Sequence, residues 1–149
     1  MTYILIGAFA RVIQGADEVT EGLDIVPSLR EENLRRLAEA LHDLGAERAD
    51  GKQLALEAES IAGEQVIAFR TDHGELKVAP EPAGTRGYDD LRWQATGEHI
   101  GKGLRPRVAS TGDLARMLAS LGRDEDLIKL LALRRLMELE HTRGLGLEL

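Results

Sequence analysis

The chain of 149 residues is the size of one ordinary domain, and its 43% apolar and 30% charged content excludes a disordered or fibrous protein. A net charge of −7 argues against general attraction to a nucleic acid backbone, so any such contact needs a local basic patch. With no cysteine, no apolar run near the roughly 20 residues that span a bilayer and no basic stretch ahead of its first apolar segment, the expectation is a cytoplasmic protein without a membrane partner.

Tyr3-Ile4-Leu5-Ile6 is a continuous apolar run stopped by Gly7, the pattern of a buried strand whose end lets a backbone or a phosphate come close. A short helix-like segment follows, and Leu23-Asp24-Ile25-Val26 reads as a second buried strand carrying one acid. An ionised carboxylate among apolar neighbours needs a cation, a hydrogen-bond partner or water. Asp24 is therefore the residue to explain.

Ser28 is read as an N-cap with Glu31 as its capping-box partner, opening a helix over 29–44. Leu34, Leu37, Leu41 and Leu44 recur at helical spacing, and Gly45 stands where a left-handed cap belongs. Residues 46–51 read as a turn and 53–61 as a short helix. Gln65 to Thr71 and Glu75 to Val78, joined through Asp72-His73-Gly74, form the clearest hairpin in the chain. Strand alternation sends Leu76 and Val78 to one face, Glu75 and Lys77 to the other.

Residues 80–87 are rich in turn formers, Tyr88 to Leu91 opens a short helix, and a loop is expected through Gly103. Arg107-Val108-Ala109 suits a short edge strand. Ser110 and Asp113 cap a helix with Leu114, Met117, Leu118 and Leu121 on its apolar stripe, ended by Gly122. A last helix runs from Asp124 to about Glu140, apolar through Leu127, Ile128, Leu131, Leu136 and Met137. The expected fold is a single α+β domain over 1–149, a small mixed β-sheet packed with helices, in which 110–141 is a C-terminal antiparallel helix pair.

His42, His73, His99 and His141 lack metal-ligand spacing, so a zinc site is not expected. Gly7 and Ala8 have the character of a phosphate cradle at a helix start, against the plainer reading of strand-end packing. Arg11, Arg105 and Arg107 are phosphate candidates against a background of ordinary surface pairs. Trp93 is either a partner or base contact, or a local packing anchor.

Leu5-Ile6-Gly7-Ala8, then Gln14-Gly15, then Val19-Thr20-Glu21-Gly22-Leu23-Asp24-Ile25-Val26 resemble the opening of the minimal nucleotidyltransferases, especially the group that includes the AbiEii-type toxins of toxin–antitoxin systems. The helix with Glu32-Asn33-Leu34 and the segment Val108-Ala109-Ser110 to Asp113-Leu114, with Gly122-Arg123 after it, resemble the same pattern, which then covers most of the chain.

In that family an Asp-x-Asp pair on the second strand and a third acid from a later strand gather magnesium for transfer of a nucleoside monophosphate from a nucleoside triphosphate. Two cations neutralise the attacking and leaving oxygens. Here Gly22 stands in place of the first acid, Asp24 matches the second, and Lys77 aligns with the third, two residues beyond Glu75. The resemblance thus implies Asp24 as metal ligand and catalytic residue, Glu75 and Lys77 at catalytic positions, and Gly7, Ala8 and Thr20 as nucleotide contacts.

It also implies Mg2+ and a nucleoside triphosphate as cofactors if the protein is active, with an RNA acceptor or a protein partner such as an antitoxin. The resulting expectation is a divergent nucleotidyltransferase, weakly active or catalytically degenerate. The alternative is a non-enzymatic binding module on the same scaffold, with Asp24 merely paired to Lys77 or an arginine. On ligand count alone, Gly22→Asp together with Lys77→Asp is expected to raise magnesium-dependent nucleotide binding.

Overall fold

The structure, a computed structural model, describes residues 1–53 and 58–145. It is a mixed α+β fold, with a sheet of seven strands among these residues. The first strand, β1 (Tyr3–Ile6), pairs antiparallel with β2 (Leu23–Pro27), placing Ile6 opposite Asp24. Between them runs α1 (Gly7–Gln14). The hairpin joins the sheet through its second strand: β4 (Ile67–Thr71) pairs antiparallel with β5 (Gly74–Val78), and β5 lies parallel to β2. The strand holding Asp24 therefore sits between the first strand and the hairpin, as consecutive elements usually do.

Two-residue strands close the sheet at both ends, and neither was legible in the sequence. Glu47 and Arg48, expected in a turn, form β3 against β4. Arg48 ties this edge to Asp50 at 2.7 Å and Glu64 at 3.2 Å, and holds the Asp50 carboxyl down at about 2. At the other end Thr96–Gly97 is β6, inside the segment expected as loop. It pairs with β7 (Arg107–Val108), which runs parallel to β1. The expected edge strand is consequently an inner one, because strands this short have no periodicity to read. Of the helix expected over 53–61, residues 58–61 fall in α3 (Ala58–Ala62), and 54–57 lie outside the described residues.

The central helix α2 (Glu31–Asp43) buries Leu34, Leu37 and Leu41. It ends as predicted: Gly45 is left-handed at φ +63°, its N–H donates to His42 O, and Ala46 N–H donates to Leu41 O. Its start differs. Ser28 does not cap it; Arg30 occupies the cap position without a side-chain bond. The Ser28 backbone is already engaged, donating to Thr2 O at 3.1 Å and accepting from Asn33 Nδ2 at 2.8 Å. Buried Asn33 also exchanges two bonds with the Thr2 backbone, at 2.6 and 2.8 Å, so one side chain joins the start of β1 to the β2–α2 connection.

After the one-turn α4 (Tyr88–Leu91), α5 (Thr111–Leu121) and α6 (Leu127–Gly144) form the C-terminal pair. Ser110 Oγ accepts from Asp113 N–H at 3.0 Å, as the capping pattern predicts. Thr111 at the start of α5 donates to Glu140 near the end of α6, so the helices are antiparallel. Leu114, Met117 and Leu118 are buried as expected, but of the face expected for α6 Leu136 turns inward and Leu131 does not. Leu133 is fully buried and Leu130 and Leu136 pack on the core, while Leu127, Ile128 and Leu131 are exposed. Apolar residues occupy every side of this helix, so spacing alone cannot choose. The choice falls to packing against α5 and the core, while buried Asp126, held by Arg123 at 2.8 Å, closes the 3-10 turn ahead of α6.

That rotation sets a contrast. Leu118→Ala and Leu133→Ala should each cost about 2–5 kcal/mol, as buried leucines do. Leu131→Ala should leave stability within about 0.5 kcal/mol of the parent. Urea unfolding of the three variants measures the difference, and equal losses at Leu131 and Leu133 would refute the packing.

Candidate functional site

The site begins where β1 ends. Gly7 takes a positive φ of +74°, and the chain turns straight from strand into α1. A side chain at this position would collide with the Asp24 carboxylate, whose Cγ lies 2.9 Å from where a Cβ would stand. Residues other than glycine pay for a left-handed backbone, and here there is no room either. The first turn of α1 and Asp24 are thereby pressed together.

Across the parallel ladder the Cα partner of Asp24 is Lys77. Ile6, Asp24 and Lys77 thus form one row on one sheet face, and Ala79 follows on the same side of β5. Leu76 and Val78 point the other way into the core, as the alternation predicts. The row floors a cleft of about 340 Å³. Gly7, Ala8 and Arg11 of α1 form one wall, and Leu114, Met117, Leu118 and Leu121 of α5 another. Glu21 lines it from the loop before β2, and Arg123 from the end of α5.

Of the residues singled out in the sequence, Gly7, Ala8, Asp24 and Lys77 therefore meet in one cleft. Glu75 lies beside it, its carboxylate 3.6 Å from Lys77 Nζ. Thr20 is not among the lining residues. Arg11, considered a phosphate contact, is on the wall but engaged by Glu18 at 2.7 and 3.0 Å, a bidentate pair that ties the α1–β2 loop to the helix. Arg123 and the apolar residues of α5 were not expected at the site; their place depends on how the C-terminal pair docks.

Arg105 and Arg107, the other phosphate candidates, donate to backbone carbonyls of Gly97, and of Arg92 and Ala95. Trp93 is no packing anchor: it is exposed, with the Arg92 guanidinium 4.7 Å above its ring.

Asp24 makes no side-chain hydrogen bond or ion pair among the described residues. Its carboxyl is pushed above the ordinary range chiefly by burial, with the Lys77 ammonium pulling it down, Glu75 pushing it up and Arg11 pulling it down. Magnesium, the cation the resemblance implies, needs several oxygens in near-octahedral array. Asp24 and Glu21 line the cleft, Glu75 is drawn to Lys77, and among the described residues no three acids or histidines come together. The residues present do not fit the three-acid, two-metal set that the resemblance implies.

Position 22 closes the simplest route back. Gly22 is left-handed at φ +76°, and a Cβ there would strike the Glu75 carbonyl oxygen and stand 3.1 Å from its carbon. The expectation that Gly22→Asp would help rebuild the acid set is corrected by this geometry: the backbone has no place for the side chain.

Two outcomes follow. Gly22→Asp should lose at least about 1–3 kcal/mol, the cost of a non-glycine residue held left-handed, before any clash is relieved; thermal unfolding reads it. For Asp24, a folded pKa above the unfolded value means the folded state disfavours the carboxylate, a penalty absent below the unfolded value and growing as pH rises through the folded one. Asp24→Asn should therefore be more stable than the parent at neutral pH, with the advantage vanishing as pH falls below 3.8. Unfolding across that range checks the sign.

No model of a known protein family matches the sequence and no curated protein matches it, so function must be argued from the geometry of the site.

Proposed function

We propose that this chain is a divergent nucleotidyltransferase-like protein whose cleft keeps a nucleotide-binding role while its catalytic carboxylate set is degenerate. One observation carries the reading: Asp24 and Lys77 stand side by side on the open face of the β2–β5 ladder, against the first turn of α1. A carboxylate held at a stability cost in a cleft is a functional-site signature, because pure packing would favour a neutral residue. Lys77 is about half exposed and offers its charge to the cleft. The amides of the first turn of α1 favour a phosphate at the same end.

A chain with this site would transfer nucleoside monophosphate weakly or not at all, since among the described residues no cluster of three carboxylates is at hand to gather the cations of two-metal chemistry. A toxin–antitoxin or defence setting, with a protein partner, is what the resemblance suggests. A second reading, a non-enzymatic interaction module, is favoured by the apolar wall from α5 and by Val66 and Leu121, which line the cleft yet stay about half exposed.

The test is transfer from each labelled nucleoside triphosphate, with magnesium, to transfer RNA or to protein, alongside calorimetric titration of the same nucleotides. Transfer at or near background with measurable nucleotide binding is expected. Vigorous transfer abolished by Asp24→Ala would overturn the degenerate reading, and no binding of any nucleotide would leave the interaction module.

A further inference from the structure

We infer that the ammonium of Lys77 takes the place of a divalent cation in this cleft, so that a nucleoside triphosphate binds there without metal. The inference deepens the proposed function and rests on it for the ligand, but its core, the exclusion of the metal by a lysine of the chain itself, stands on geometry.

The first support is the register. Asp24 and Lys77 are Cα partners in a parallel ladder, where neighbouring strands lie about 4.8 Å apart, and both side chains line the same cleft. The Lys77 ammonium rests against Glu75 at 3.6 Å, and from that strand position its stem can swing into the space beside the Asp24 carboxylate that a bound cation would use. An ammonium there already offsets the Asp24 charge and repels a second positive charge.

The second support is how the other charges are committed. Arg11 is held by Glu18, and Arg123 by Asp126 at 2.8 Å and Glu125 at 3.4 Å. Each wall arginine is thus neutralised by its own acids. Among the described residues Lys77 has only the looser contact to Glu75 at 3.6 Å, and its side chain is 48% exposed. It is the cation of the cleft with most freedom to turn toward a ligand.

The third support is Gly22. The acid that the resemblance would place two residues before Asp24 could recover a metal displaced by the lysine. The Glu75 carbonyl occupies that space. The lysine and the glycine act together: one supplies the positive charge, the other forbids the ligand that would bring a competing one.

The experiment has two arms. In the first, Mn2+ alone is titrated by electron paramagnetic resonance against the parent, Lys77→Glu and Lys77→Glu with Asp24→Asn, with circular dichroism confirming that each is folded. The parent should leave Mn2+ free, Lys77→Glu should bind it, and the added Asp24→Asn should abolish that binding. Mn2+ bound by the parent and lost in Asp24→Asn, or a folded Lys77→Glu without Mn2+ affinity, would overturn the inference.

In the second arm ATP is titrated by calorimetry in excess Mg2+ and in EDTA. Equal affinity in both is expected, with Lys77→Met weakening it by at least about tenfold, the worth of one hydrogen bond to a charged group. Binding that requires Mg2+ overturns the inference. No ATP binding under either condition defeats the nucleotide reading instead, and the Mn2+ arm still decides the role of Lys77.

Discussion

The contact between Gly7 and Asp24 is the constraint on which the site depends. The antiparallel register of β1 and β2 puts Ile6 opposite Asp24, so the next residue of the first strand must pass directly over the carboxylate. Only a residue without a Cβ can do so, and its left-handed turn starts α1 at that point. The helix is then committed to the same sheet face as Asp24, where Gln14 Nε2 donates to Ala109 O at 2.9 Å and links its far end to the segment before α5. The cleft floor and its α1 wall thus follow from one close approach between two strands.

Electrostatics then decides what kind of cleft this is. Burial makes the Asp24 charge costly, Lys77 and Arg11 reduce the cost, and Glu75 adds to it. The arginines on the walls are each paired with acids behind them. What remains toward the opening is the half-buried Asp24 carboxylate with Glu21 at the rim, a half-exposed ammonium and an apolar surface from α5. Two-metal chemistry needs the opposite balance, a concentration of oxygens with no fixed cation among them. The cleft instead sets a lysine beside an acid on neighbouring strands.

The C-terminal pair contributes more than stability. Leu114, Met117 and Leu118 belong at once to the core and to the cleft wall, so the seating of α6 against α5 shapes the site as well as the fold. Leu136 of α6 reaches the turn after α1, where it would stand 3.2 Å from a Cβ at Gly15. The end of α1 and α6 therefore approach one another at a glycine. The outward residues Leu127, Ile128 and Leu131 take no part in this packing.

By itself the sequence determined the local features: the first apolar strand and the apolar strand that carries Asp24, the hairpin with Lys77 and Glu75 on its open face, the Gly45 and Gly122 helix ends and the Ser110 cap. These rest on interactions within a few residues, so their patterns survive in one dimension. It also isolated Asp24, because a lone acid in an apolar strand is conspicuous wherever the strand goes. Only the tertiary structure decided which face of α6 turns inward, that Ser28 is held by Thr2 and Asn33 instead of capping α2, and that two-residue strands flank the sheet. It alone showed that position 22 has no room for a side chain, since the obstruction is a backbone carbonyl from residue 75. Each of these is set by a partner distant along the chain, and hydrophobic period and capping pattern carry no information about such partners.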